Sequence, residues 1–129
     1  MTKVSSEKQK MILIGHGSRS AEWRKPLDAR VNDLQSIVGE EKVGVAFMEL
    51  NHPTLAEAID DGLKEDVTSF WVLPMFLSSG GHVKRDIETE IERLRAVHPR
   101  VTIHLMASFG EQPLITNALR TLVKQQLQQ

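Results

Sequence analysis

Four short apolar runs, each followed by a longer stretch of helical spacing, organise this chain. The first run is Met11-Ile12-Leu13-Ile14, ended by Gly15. Beyond Ser20, residues Leu27, Val31, Leu34 and Val38 recur at intervals of three and four, which places them on one helical face. Pro26 predicts a helix start close to it, since proline is tolerated only in the first turn, and Gly39 predicts a left-handed cap at the far end. The second run is Val43 to Met48. Its helix has two possible starts: Pro53 in the first position, or Thr54 as a cap with Glu57 reaching back to it. Leu55, Ala56, Ile59 and Leu63 form the stripe. The third run, Phe70 to Leu73, meets Pro74, which cannot donate to a ladder and so marks the edge of regular pairing. Ser78-Ser79-Gly80-Gly81 reads as a loop, and a helix from about His82 to Val97 turns Val83, Ile87, Ile91 and Leu94 inward. Lys84 with Glu88 and Glu90 with Arg93 read as pairs on its solvated face. Val101 to Met106 is the fourth run, and Pro113 opens a last helix striped by Leu114, Ala118, Leu119, Leu122 and Val123.

The resulting order is βαβαβαβα. Strands that are almost wholly apolar predict a parallel sheet covered on both faces, and right-handed crossovers make it a doubly wound α/β sandwich of four strands. A reversal of strand order between the first and third strands would put a binding crevice at their carboxyl ends. The loops leaving those ends are GHGSRS and MFLSSGGH, and the second strand brings Glu49 to the same rim. The 129 residues suit one domain, expected over 10–129, with the polar stretch 1–9 as a flexible lead-in.

Composition narrows the chemistry. With 16 basic against 17 acidic side chains, broad nucleic-acid binding is not expected. The absence of Cys excludes disulfides, thiolate ligands and a nucleophilic thiol. No apolar run approaches the length of a membrane span, so a cytoplasmic protein without membrane partners is expected.

Five histidines are the remaining chemical signal. His98, beside Pro99, reads as a helix-terminal residue, and His104 as one packed within the sheet. His52 stands at a helix start, where a polar residue needs no ligand to explain it. His16 lies between two glycines directly after the first strand, and His82 follows Gly80-Gly81 where a helix begins. Two imidazoles with Glu49 would make a nitrogen-and-oxygen set suited to Co, Ni, Fe or Zn, and imidazole exchanges protons near neutral pH. By pattern alone this does not distinguish a metal site from polar loop residues. Dinucleotide and phosphate-loop fingerprints are missing, as is a nucleophile elbow.

Three segments together, LIGHGSRS at 13–20, FMELNHPTLAEAI at 47–59 and PMFLSSGGHVKRDI at 74–87, resemble the small single-domain sirohydrochlorin chelatases of the cobaltochelatase group. That resemblance implies insertion of a divalent metal, Co²⁺ first and Ni²⁺ or Fe²⁺ next, into sirohydrochlorin or a related tetrapyrrole. It implies His16 and His82 as metal ligands, with Glu49 as ligand or proton acceptor. It also implies a homodimer, and a metal that is substrate rather than a permanently bound cofactor. Ser18, Arg19, Ser79, Gly80, Gly81 and Lys84 are the expected contacts to the macrocycle. Asn51 departs from the family pattern, where an acidic residue is common. A non-enzymatic metal or tetrapyrrole carrier, or a plain interaction domain, would share the same residues.

Overall fold

The structure, a computed structural model, describes residues 7–78 and 80–128. Its elements are β1 (Lys8–Gly15), α1 (Lys25–Val38), β2 (Val43–Phe47), α2 (Leu55–Lys64), β3 (Val67–Pro74), α3 (Gly81–Val97), β4 (Thr102–Leu105) and α4 (Pro113–Leu127), with a 3₁₀ turn at Phe109–Glu111 before α4. All strand pairs are parallel, in the order β2-β1-β3-β4. The order reverses between β1 and β3, as a doubly wound sheet requires. β1 starts at Lys8, within the expected lead-in, because Lys8 and Gln9 pair through their backbones with Val67 and Ser69 whatever their side chains. Residues 1–6 of that lead-in lie outside the described residues.

The two faces of the sheet are filled unequally. Ile12, Ile14, Ala46, Phe70, Val72 and Ile103 pack on one face against Leu55, Ala58 and Ile59 of α2 and Ile87, Ile91 and Leu94 of α3. On the other face α1 covers a smaller cluster of Leu13, Val31 and Val43, and Phe47 is buried beside Trp23 and Arg24. Thr54 proves to be the cap of α2: its side chain accepts from the Glu57 N–H while Glu57 Oε1 accepts from the Thr54 N–H. This leaves Pro53 outside the helix. Gly39 has positive φ (111°) but extended ψ (141°), so it is not the left-handed cap expected; it still donates to the Gln35 carbonyl and closes α1. Pro74 is the last residue of β3, as its missing donor requires.

A stripe like that of α4 ordinarily faces a core, yet α4 fully buries none of its side chains and rests chiefly on the 3₁₀ turn. Leu114, Leu119, Leu122 and Leu127 are all more than half exposed.

Candidate functional site

The carboxyl ends of β1 and β2 are tied together by backbone bonds. Met48 N–H donates to the Gly15 carbonyl at 3.0 Å, and Glu49 N–H to that of His16 at 3.2 Å. Phe47 N–H donates to the Pro53 carbonyl at 2.9 Å, so residues 48–53 leave the strand and return to it. Gly17 makes this approach possible. Its φ is +110°, and a Cβ there would lie 1.8 Å from the Glu49 carbonyl oxygen. The Asn51 side chain closes the arrangement by accepting from Ser18 N–H at 2.7 Å.

Arg24 braces the same loop. Its guanidinium donates to the His52 carbonyl at 2.8 Å, pairs with Asp28 at 2.7 Å and lies 4.4 Å above the Phe47 ring. A basic residue in the segment after β1 could have served substrate carboxylates, but Arg24 is committed to holding backbone.

This frame brings His16 Nδ1 to 3.7 Å from Glu49 Oε2, both side chains about half exposed. Phe76 meets the imidazole edge-on at 6.3 Å between ring centroids, which limits how the ring can turn. His82 stands in the first turn of α3 and lines the same cleft of about 720 Å³ as His16 and Glu49. Asp86, Glu90 and Arg93 line it too. Asp86 and Glu90 follow His82 at successive steps of four, the spacing that carries one helix face to one wall. The Glu90–Arg93 pair, read from sequence as solvated surface, therefore faces the cleft. Its bonds of 2.8–2.9 Å raise the Arg93 pKa above its ordinary value.

The loop before His82 is built differently. Cβ atoms at Gly80 and Gly81 would meet nothing within 4 Å, and Leu77 is 83% exposed. Its close anchor is Gly110, which donates to the Phe76 carbonyl at 2.9 Å and seats so near Leu77 that a Cβ would fall 2.0 Å from the Leu77 oxygen. Neither Gly110 nor Asn51 carried a local signal of this role, since each acts through a contact distant in sequence.

Other expected residues are placed apart. Arg19 is exposed beside the His16 loop. Lys84 lines a separate groove between α3 and the end of β4. Ser79 lies outside the described residues. His52 Nδ1 bonds Glu57 at 2.8 Å, His98 caps α3 and approaches Asp60 at 3.6 Å, and His104 stacks on Trp71 with ring centroids 4.1 Å apart. Among the described residues, no group of three His, Asp or Glu side chains is already gathered as a metal cage.

Residues 10–126 match the family model described as CbiX. The chain belongs to the CbiX family. It is 38% identical over 77 residues to the sirohydrochlorin cobaltochelatase of Methanopyrus kandleri, a match covering 60% of this chain and 54% of that enzyme. The crystal structure of a putative cobalamin biosynthesis CbiX protein from Marinobacter aquaeolei superposes with a TM-score of 0.79 at 33% identity, covering 93% of this chain and 98% of that one. The sirohydrochlorin chelatase SirB from Bacillus subtilis subspecies spizizenii, solved with cobalt, matches with a TM-score of 0.75 at 26% identity, over 92% of this chain and 50% of SirB. The chain thus spans about half the length of the curated relative and of SirB, and nearly all of the Marinobacter protein.

Proposed function

We propose that this protein inserts a divalent metal ion into sirohydrochlorin, with Co²⁺ the preferred ion and Ni²⁺ or Fe²⁺ alternatives, as a lyase-class chelatase. The observation that carries this reading is the single cleft lined by His16, Glu49 and His82, with the first two side chains 3.7 Å apart. In a CbiX chain whose relatives include a cobaltochelatase, that is the chemistry the donor set suits.

Water and the two imidazoles hold the incoming ion as substrate, and pyrrole nitrogens replace them one at a time. Forming the metal chelate releases two N–H protons. Glu49 and the imidazoles are the acceptors closest to hand. Asp86 and Glu90 extend the acidic wall behind His82 and can relay protons outward. Ser18, Arg19 and the backbone at Gly80 and Gly81 are proposed to meet the carboxylates on the rim of the macrocycle. Lys84 is omitted from this set because it lines a different groove. The working unit is proposed to be a homodimer.

The test mixes purified protein with metal-free sirohydrochlorin and Co²⁺ and follows the absorbance change against a protein-free control. Turnover in excess of the protein concentration is expected, and His82→Ala should abolish it without changing the melting temperature. A stoichiometric change that stops at one equivalent would instead identify a carrier. Undiminished turnover in His82→Ala would end this mechanism.

A further inference from the structure

Arg24 and Arg93 are each held by a carboxylate of their own helix, and only Arg24 has both ends of its guanidinium engaged. Arg24 gives Nε and Nη2 to the Asp28 carboxylate, and its Nη1 donates to the His52 carbonyl. Arg93 gives Nε and Nη2 to the Glu90 carboxylate at 2.9 and 2.8 Å, and among the described residues nothing accepts from its Nη1. A guanidinium carries five N–H donors in one rigid plane. A carboxylate along its Nε side therefore leaves the Nη1–Nη2 end open to a second one. The Arg93 side chain is more than half exposed and lines the cleft of His16, Glu49 and His82. Glu90 thus orients the plane without occupying its outer edge.

We propose that Arg93 holds one carboxylate of the tetrapyrrole, as a substrate-binding residue whose orientation Glu90 sets. This role rests on the proposed chelatase function and names where an acid arm of the macrocycle is received. Charge singles out the position. Among the described residues that line the cleft, Glu49, Asp86 and Glu90 are acidic and Arg93 is the only lysine or arginine. A cleft of that sign draws a divalent cation and repels a polycarboxylate, so an acid arm entering it has one cation to meet. Distance agrees with this. Arg93 follows His82 after about three helical turns and so projects from the same side of α3. Its bonds to Glu90 draw the guanidinium back to a level roughly 12 Å along the axis from His82. A propionate arm carries its acid group a comparable distance from the centre of a tetrapyrrole. Arg19 and the Gly80–Gly81 backbone stand at the histidine end of the cleft. A contact at Arg93 would fix the far edge of the ring, and two points of attachment set its orientation over the metal.

The experiment titrates metal-free sirohydrochlorin into the purified full chain and follows its fluorescence, with no metal added. Arg93→Ala should raise the dissociation constant about tenfold or more, because two charge-assisted bonds are lost. Arg85, also on α3, does not line the cleft, and Arg85→Ala should leave the constant within about twofold of the parent. In Co²⁺ insertion assays Arg93→Ala should raise KM by a similar factor and keep kcat within about threefold, since the residue touches no reacting atom. Truncating Arg93 also leaves Glu90 unpaired. The variant carrying both Glu90→Ala and Arg93→Ala restores the charge balance and should still bind weakly. Should alanine at 93 unfold the chain, Arg93→Gln keeps a long polar side chain without the charge or the fork, and the same loss is expected. An unchanged constant on losing Arg93, an equal loss in Arg85→Ala, a fall in kcat with no rise in KM, or parental affinity in the double variant would each overturn the assignment and leave the chelatase function standing. Failure of the parent itself to bind the macrocycle would overturn both.

Discussion

The two histidine loops stand on one cleft and are built on opposite plans. Around His16 the backbone is clamped: Ser18 is held by Asn51, Glu49 by His16, and Gly17 has no room for even a methyl group. Around His82 the chain runs through two glycines in open space, with a seat at Gly110. An imidazole fixed beside a carboxylate is a place where an ion can wait at constant geometry. An imidazole on a looser approach can follow the ion as a macrocycle displaces it. Under the proposed function, such a division of labour between a rigid and a yielding ligand is what metal transfer needs, since a cage rigid on all sides would keep the metal.

The strongest way to break this comparison is to place the same methyl group in both loops. Gly17→Ala must displace the Glu49 carbonyl and hold alanine at φ +110°. It should cost about 2–4 kcal/mol of stability and at least tenfold in insertion rate, because the His16–Glu49 geometry moves with the clamp. Gly81→Ala meets nothing and stands at the start of a helix, so its stability should stay within about 0.5 kcal/mol of the parent. Thermal melts of the two variants check the contrast. Equal losses would mean that the loops do not differ in rigidity.

That contrast was legible in the sequence only in part, and the division follows contact range. Local patterns read well: the Thr54–Glu57 box, the inward residues of α3 and the four parallel strands each follow from spacing along one segment. The meeting of His16, Glu49 and His82 at one cleft follows from the parallel topology, which sends all three to carboxyl ends. What could not be read was contact between segments. Gly17 looks like any loop glycine until Glu49 lies across it. Glu90 and Arg93 look solvated because charge alone does not say which helix face borders a cleft. The helix opened by Pro113 was read correctly, but its apolar spacing does not say what its stripe meets.

A gentler change sharpens the role of the clamp. Asn51 accepts from the half-buried Ser18 N–H, and Asn51→Ala leaves that donor without its partner. A loss of about 1 kcal/mol in stability is expected, with a fall of a few-fold in insertion rate. Asn51→Asp keeps an acceptor oxygen at the same reach and should restore most of the stability. If alanine and aspartate behave alike in denaturant melts, the oxygen is not what holds the loop.

The smallest effect concerns the outer end of the same clamp and shows itself as pH dependence. The Glu57 carboxyl is held below its ordinary value of 4.5, first by its bond to His52 and then by the Thr54 N–H. A carboxyl lowered in the folded state binds its proton less readily there than in the unfolded chain, so ionisation favours folding. That contribution is complete above the unfolded value and disappears as the pH falls through the folded one. Glu57 is solvent-exposed, so screening keeps the effect small. Comparing the parent with Glu57→Gln, the parent should melt slightly higher at pH 7, and the difference should shrink steadily below pH 4.5. A gap that persists undiminished in acid would assign the stabilisation to packing at the α2 start, leaving the charge on Glu57 no part in securing the loop that carries Glu49.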